Sequence, residues 1–271
     1  VSPDLLLEGR QLTKRYGGIV AVREVTLTLF AGEVLGLVGP NGAGKTTLVD
    51  LITGAQPSDG GTLSLSGRPL RGGAAARSAL GLARTFQHPQ LAMELSVREN
   101  LSVGRIAVRH RTLGALVGGV VRGVLHPRDV QDEAAVDAIA AELGFTGLDR
   151  LAGDLTLGEQ RLVEVGRALG AQPTVLLLDE PFAGADSAGV AGISAGIRKL
   201  RGRGHGIILV DHNVDLVAAL VDRIMLLDGG QVAFDGDPEE CLRSSEMQRV
   251  YFGAPPPVHV ATEPVPPGGV S

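Results

Sequence analysis

Gly39, Pro40, Asn41, Gly42, Ala43, Gly44, Lys45 and Thr46 stand in the spacing G-x-x-x-x-G-K-[ST]. Glycines so placed let backbone N–H groups turn toward phosphate oxygens, the lysine reaches a nucleotide's β and γ phosphates, and the final hydroxyl can ligate Mg²⁺. The run follows the apolar residues Val34 to Val38 and opens a helical stretch from Thr46 to Ile52, with Thr47 inside it. A helix N-terminus there adds its positive end to the cradle. A chain with 39 glycines can produce such a string by accident, yet only Lys14, Lys45 and Lys199 are lysines among 25 basic residues. A lysine at this one position is therefore informative.

A second group of chemically capable residues follows the apolar run Val175 to Leu178, where Asp179 and Glu180 are adjacent. Successive residues at a strand end point in different directions, so Asp179 can take Mg²⁺ while Glu180 polarises an attacking water. The plainer alternative is a solvated acidic turn. His212, after Ile207 to Val210, marks a third strand end and can donate a hydrogen bond to an anion; by spacing alone, a lone histidine there is more often a packed or capping residue.

The elements that must position these residues read as α/β. Val34 to Val38, Val175 to Leu178 and Ile207 to Val210 are short continuous apolar runs, as expected for strands buried on both faces of a parallel sheet. Leu5 to Leu12, Arg23 to Phe30 and Gly61 to Ser66 alternate in the half-exposed antiparallel manner, as do Ile224 to Leu227 and Gln231 to Phe234 across Asp228-Gly229-Gly230. From about residue 96 to 170 the strand signal fades. Pro127 to Gly144 is expected to be a helix with Val130, Ala134, Val136, Ile139, Ala140 and Leu143 on its apolar side, within a helical subdomain. Residues 105–128 alternate arginines with a Gly/Val/Leu segment and read as a surface extension, and 255–271 as a disordered Pro/Gly-rich tail after one domain over 1–254.

Composition narrows the classes. With 271 residues, 44% hydrophobic and 20% charged, the chain can bury a large core. Mean hydropathy is +0.19, but Thr112 to Val121 is only ten uncharged residues before Arg122, too short to span a bilayer. A net charge of −5 disfavours bulk nucleic-acid binding. One cysteine, Cys241, allows no intrachain disulfide, and Val1 to Arg10 lack a secretory pattern, so a cytosolic location is expected.

In order along the chain, these residues resemble the ATP-binding-cassette (ABC) ATPases over about Leu5 to Gly253. The resemblance implies a P-loop NTPase core with a mainly parallel sheet, a flanking antiparallel β subdomain and an inserted helical subdomain. It also implies ATP and Mg²⁺ as ligands. Tyr16 would stack on adenine, Gln87 in Thr85-Phe86-Gln87 would act beside the catalytic Glu180 and on the metal, and Asp186 and His212 would be the aspartate-loop and switch residues. On sequence alone, Tyr16 is an ordinary strand-end aromatic and Gln87 a polar loop residue. The family's Leu-Ser-Gly-Gly-Gln signature looks like Leu155-Thr156-Leu157-Gly158-Glu159 here, followed by an amphipathic helix to Leu169. Thr156 keeps the hydroxyl and Gly158 the close backbone approach, while Leu157 adds bulk and Glu159 a carboxylate in place of an amide, which puts turnover rather than fold in question. Ala183-Gly184-Ala185-Asp186 also departs from the usual Ser-Ala-Leu-Asp.

One copy of each motif implies a head-to-tail pair with a second cassette, identical or paralogous. The family further implies membrane permease subunits, indirectly a substrate-binding protein, and a peripheral place on the cytoplasmic face of the membrane. The long segment between Gln87 and Thr156 and the ending Met247 to Gly253 are similar to the ATPases of branched-chain amino acid importers. Urea, amide and lipopolysaccharide systems have similar subunits. A soluble cassette acting on nucleic acid or ribosomes is disfavoured by the single cassette and the acidic charge, and a nucleotide kinase or GTPase by the lack of an acceptor site or guanine-reading motif.

Overall fold

A computed structural model describes residues 4–85, 90–109 and 130–253. Two sheets organise these residues. The first pairs β1 (Leu5–Tyr16), β2 (Ile19–Phe30), β4 (Gly60–Leu65) and β5 (Arg68–Pro69) in the antiparallel order β2-β1-β4-β5. The second has the order β10-β9-β3-β8-β7-β6, built from β3 (Val34–Val38), β6 (Leu82–Arg84), β7 (Val175–Asp179), β8 (Gly206–Val210), β9 (Arg223–Asp228) and β10 (Gln231–Gly236). Every pairing in it is parallel except the β9–β10 hairpin.

The central strands are continuous apolar runs because both faces are covered. Leu176 and Leu178 of β7 face one core with Leu162, Ile197 and Val136, whereas Val175 and Leu177 face another with Leu48, Ile52, Leu27 and Leu63. The first core lies under the helices α3 (Val97–Arg109), α4 (Val130–Leu143), α5 (Leu157–Leu169) and α6 (Ser187–Gly202); the second lies between the parallel sheet, α1 (Lys45–Thr53) and the antiparallel sheet. Shorter helices are α2 (Ala74–Ser78), α7 (Val214–Ala218), α8 (Pro238–Arg243) and α9 (Ser245–Phe252). Buried Arg77 on α2 donates to the Leu51 and Ile52 carbonyls, satisfying the C-terminal turn of α1.

Several sequence expectations change. Ile224 to Leu227 are fully buried, and β9 pairs in parallel with β3, so this is an interior strand of the main sheet rather than a half-exposed one. Four consecutive apolar residues have no polar face to turn outward. β1 and β2 run on past the expected ends to a tight turn at Gly17-Gly18, and β6 is too short to show in the sequence pattern. On α4, Val136, Ile139, Ala140 and Leu143 are buried but Ala134 is exposed, because the packed face follows i, i+3, i+4 and i+7 from Val136. The side chain of Val130, residues 110–129 with most of the arginine-flanked segment, and the tail lie outside the described residues. From Arg161 to Gly166 α5 is buried all round rather than amphipathic, since α3 and α6 flank it. No described helix is long and apolar enough to cross a membrane.

Candidate nucleotide site

Strand register brings the three chemically capable turns to one edge. Leu37 on β3 and Asp179 on β7 both align with Val210 on β8, so Gly39, Glu180 and His212 each emerge within two residues at the carboxyl ends of adjacent parallel strands. Such an edge is where open α/β sheets bind ligands.

The loop from Gly39 to Thr46 wraps the start of α1. Gly39 takes φ +149 and Gly44 φ +100, and a Cβ on either would lie 2.4 Å from a carbonyl oxygen, of Leu227 and Ala21 respectively, so only glycine fits. The N-cap of α1 is Gly44, without a capping side chain and without acidic residues in the first turn. The first N–H groups of this helix are thus left for an anion, the usual unsatisfied donors of a helix start. A cleft of about 290 Å³ in front of them is lined by Ala21, Asn41, Gly42, Ala43, Gly44, Lys45, Thr46, Thr47 and Glu180. The Lys45 ammonium donates to the Gly39 and Pro40 carbonyls at 2.5 and 3.0 Å. Its pKa is lowered by burial, against the opposing pull of Glu180 and Asp179.

Asp179 is buried, and its Oδ2 accepts from Arg84 at 2.7 Å; the same guanidinium reaches Asp50 Oδ1 on α1 at 2.7 Å. The sequence reading missed both partners. Asp50 lies one helical turn beyond Thr46, a spacing that places both on one side of α1, whereas Arg84 ends a strand of three residues and carried no signal. Among the described residues no cluster of three or more His, Cys, Asp or Glu could hold a metal alone. The donors near the loop, the Thr46 hydroxyl and an Asp179 oxygen, are hard oxygens of the kind that hold Mg²⁺ together with phosphates and water, so they fit that ion. Glu180 has φ +48, a left-handed conformation that costs a non-glycine residue about 1–3 kcal/mol. Its N–H is held by the Val210 carbonyl at 2.7 Å, which fixes the turn that brings its side chain to the cleft.

Of the other predicted residues, none that is described lines this cleft. The His212 ring is 68% exposed with Nδ1 3.5 Å from buried Asp211, and Tyr16 is exposed at the β1–β2 turn with the Lys14 ammonium 5.4 Å from its ring. Gln87 lies outside the described residues. Thr156, Gly158, Glu159 and Asp186 line a second cleft of about 220 Å³ that shares no residue with the first. There Thr156 caps α5: its hydroxyl accepts from the Glu159 N–H, and the Glu159 carboxylate takes the Thr156 N–H at 2.8 Å. Arg150, also missed, donates to Glu159 at 2.6 Å and is the first cause of its lowered pKa, so this carboxylate is engaged rather than a free charge facing the cleft. Asp186 caps α6 through Gly189 N–H at 2.8 Å. Gly158 makes a close approach to protein: a Cβ there would meet Gly189 Cα at 2.5 Å. Leu157 packs on the aspartate loop, where a Cβ on Gly184 would lie 2.6 Å from it, and Leu155 is buried just before. A larger apolar cavity of about 440 Å³, between α2 with β6 and α3 with α5, contains none of the phosphate-loop residues.

Fold and site together define a nucleotide-binding cassette of the P-loop class. Comparison with known proteins places it further: the ABC transporter family matches residues 22–183, and the chain belongs to that family as an ATP-binding subunit. It is 37% identical over 257 residues to the high-affinity branched-chain amino acid transport ATP-binding protein LivG of Salmonella typhimurium, covering 92% of this chain and 98% of that one. It is 35% identical over 253 residues to the lipopolysaccharide export ATP-binding protein LptB of Escherichia coli, covering 91% and 97%. Among solved structures it is similar to a nucleotide-free ATP-binding cassette (TM-score 0.79, 28% identity, 92% of this chain and 100% of that one). A cassette in its ADP conformation is likewise similar (TM-score 0.80, 28% identity, 92% and 99%).

Proposed function

We propose that the chain binds and hydrolyses ATP to drive uptake of branched-chain or other hydrophobic amino acids through a membrane permease. The observation that carries the hydrolytic reading is the common sheet edge of the uncapped phosphate loop, Asp179 and Glu180. The α1 N–H groups and Lys45 would hold the phosphates, and Thr46 and Asp179 would hold Mg²⁺, which when bound supplies positive charge to the β and γ oxygens. Glu180 would accept a proton as water attacks the γ phosphorus and the bond to the ADP oxygen breaks. Gln87 and His212 are assigned to orienting that water and the γ phosphate, and Tyr16 to the adenine.

Separation of the phosphate cleft from the cleft at Thr156 and Asp186 supports a head-to-tail pair, in which Leu155 to Glu159 of one cassette close over the ATP of the other. ATP then joins two surfaces, and its cleavage releases them. The cassette is taken as residues 1–254, with a helical subdomain at about 96–170 that passes closure to permease subunits on the cytoplasmic side of the membrane. Similarity to LivG along nearly its whole length favours amino-acid cargo delivered by a binding protein; similarity to LptB makes lipopolysaccharide export the second reading.

The test is to trap the ATP-bound state with Glu180→Gln, isolate it from native membranes and identify co-purifying chains by mass spectrometry. A polytopic permease with a second cassette and an amino-acid-binding protein is the expected result. Soluble partners, ribosomes or nucleic acid alone would overturn the transport reading.

A further inference from the structure

The ending Met247 to Gly253 bears none of the nucleotide motifs, yet in the fold it reaches the first residue of the phosphate loop. The Tyr251 hydroxyl, on α9, accepts the Gly39 N–H at 3.1 Å across 212 positions of sequence. Gly39 is where β3 gives way to the loop: its N–H is held by the tyrosine and its carbonyl by the Lys45 ammonium at 2.5 Å. The neighbouring β9–β10 turn supports the same loop from behind. Gly230 N–H donates to the Ala43 carbonyl at 2.9 Å, and the Leu227 carbonyl lies against Gly39 so closely that no Cβ would fit. Arg249 on α9 and Asp228 in that turn approach to 4.0 Å, and Met247 is buried in the core beside the sheet. Residues 227–251 thus form a backing that touches the loop at both ends, while the cleft in front stays open.

Gly39 combines a φ that few residues adopt with an N–H and a C=O, in the two peptides flanking its Cα, that are each held by a side chain. Without the hydroxyl, the Gly39 N–H would lose the side-chain acceptor that holds the Val38–Gly39 peptide, and rotation about the Gly39 N–Cα bond would carry the carbonyl of the following Gly39–Pro40 peptide away from Lys45. Burial raises the Tyr251 pKa, so near neutral pH the group is a neutral hydroxyl able to accept from an amide. We propose that Tyr251 is a positioning residue for nucleotide binding: through Gly39 it sets the orientation of the phosphate loop, so that the C-terminal helix helps determine ATP affinity. This rests on the reading of the loop as the ATP site.

The test uses the full chain, titrated calorimetrically with ATP in the absence of Mg²⁺, together with turnover at saturating MgATP. Tyr251→Phe removes only the hydroxyl. The expected result is a Kd for ATP raised about three- to tenfold, the size of one hydrogen bond, with saturated turnover within about twofold of the unsubstituted chain. A Kd within about twofold would overturn the proposal. So would an equal rise in Ile139→Val, a core variant remote from the loop, once denaturant concentrations are chosen to match the two in stability. Failure of the unsubstituted chain to bind ATP would instead sink the reading of the site, and the two failures are distinguishable in the same titration.

Discussion

The starts of α1 and α5 are two glycine-containing turns into helices, and they are finished in opposite ways. α1 begins at Gly44 with no capping side chain, no acidic residue in its first turn and a half-buried lysine folded onto carbonyls. α5 begins at Thr156 with a reciprocal capping box, further tied by Arg150. One helix end leaves its donors for a ligand; the other satisfies them within the chain. The difference teaches that, within a single cassette, the α1 end is the one whose donors stay open to an anion. The α5 end presents a preformed surface whose first donors are met within the chain.

That contrast can be broken or sharpened by substitution. The largest effect is expected from Glu180→Gln, which should lower hydrolysis by about 10² to 10⁴ while ATP binding is retained; unchanged turnover in a steady-state assay would remove Glu180 from the role of base. Lys45→Ala should weaken ATP binding about ten- to hundredfold, the loss of hydrogen bonds from a charged group, as read by calorimetry.

Arg84→Met should leave the buried Asp179 carboxylate without its 2.7 Å partner and destabilise the fold by about 3 kcal/mol in a denaturant titration. A loss below about 1 kcal/mol would show that Asp179 is solvated well enough without the arginine. At the other helix, Thr156→Ala should cost about 1 kcal/mol of stability, the usual value of an N-cap, and leave the ATP affinity of the isolated chain unchanged.

Glu159→Gln should have the smallest effect at neutral pH, because glutamine also completes a capping box. Its signature is in acid. The hydrogen bond from Arg150 lowers the Glu159 pKa, so its contribution is present above the ordinary carboxylate range and is lost as pH falls through the lower folded value. The substituted chain should therefore lose less stability than the native one over that acid window. An equal loss in both would show that the Arg150 contact contributes nothing in solution.

Much of this was legible in the sequence where one local pattern carried the information. The glycine turn into α1, the buried strands β3, β7 and β8, and the place of Asp179 and Glu180 at the end of β7 could be read because apolar runs and glycine spacing are properties of neighbouring residues. Arg84, Arg150 and Tyr251 could not: each acts through a contact 9 to 212 positions away, and no short-range periodicity encodes it. The antiparallel hairpin of Ile224 to Leu227 with Gln231 to Phe234 was legible from the turn between them, whereas their burial was not, because it comes from a parallel pairing with β3 that is distant in sequence. Gly158 was legible as a site of close approach, but the sequence did not say that the approaching backbone is that of Gly189.

The most direct measurement is calorimetric titration of ATP into the isolated full chain beside its Lys45→Ala and Thr156→Ala variants. The expected result is an affinity weakened about ten- to hundredfold by Lys45→Ala and unchanged by Thr156→Ala. Equal weakening by both, or none by Lys45→Ala, would contradict the assignment of phosphate binding to the open end of α1.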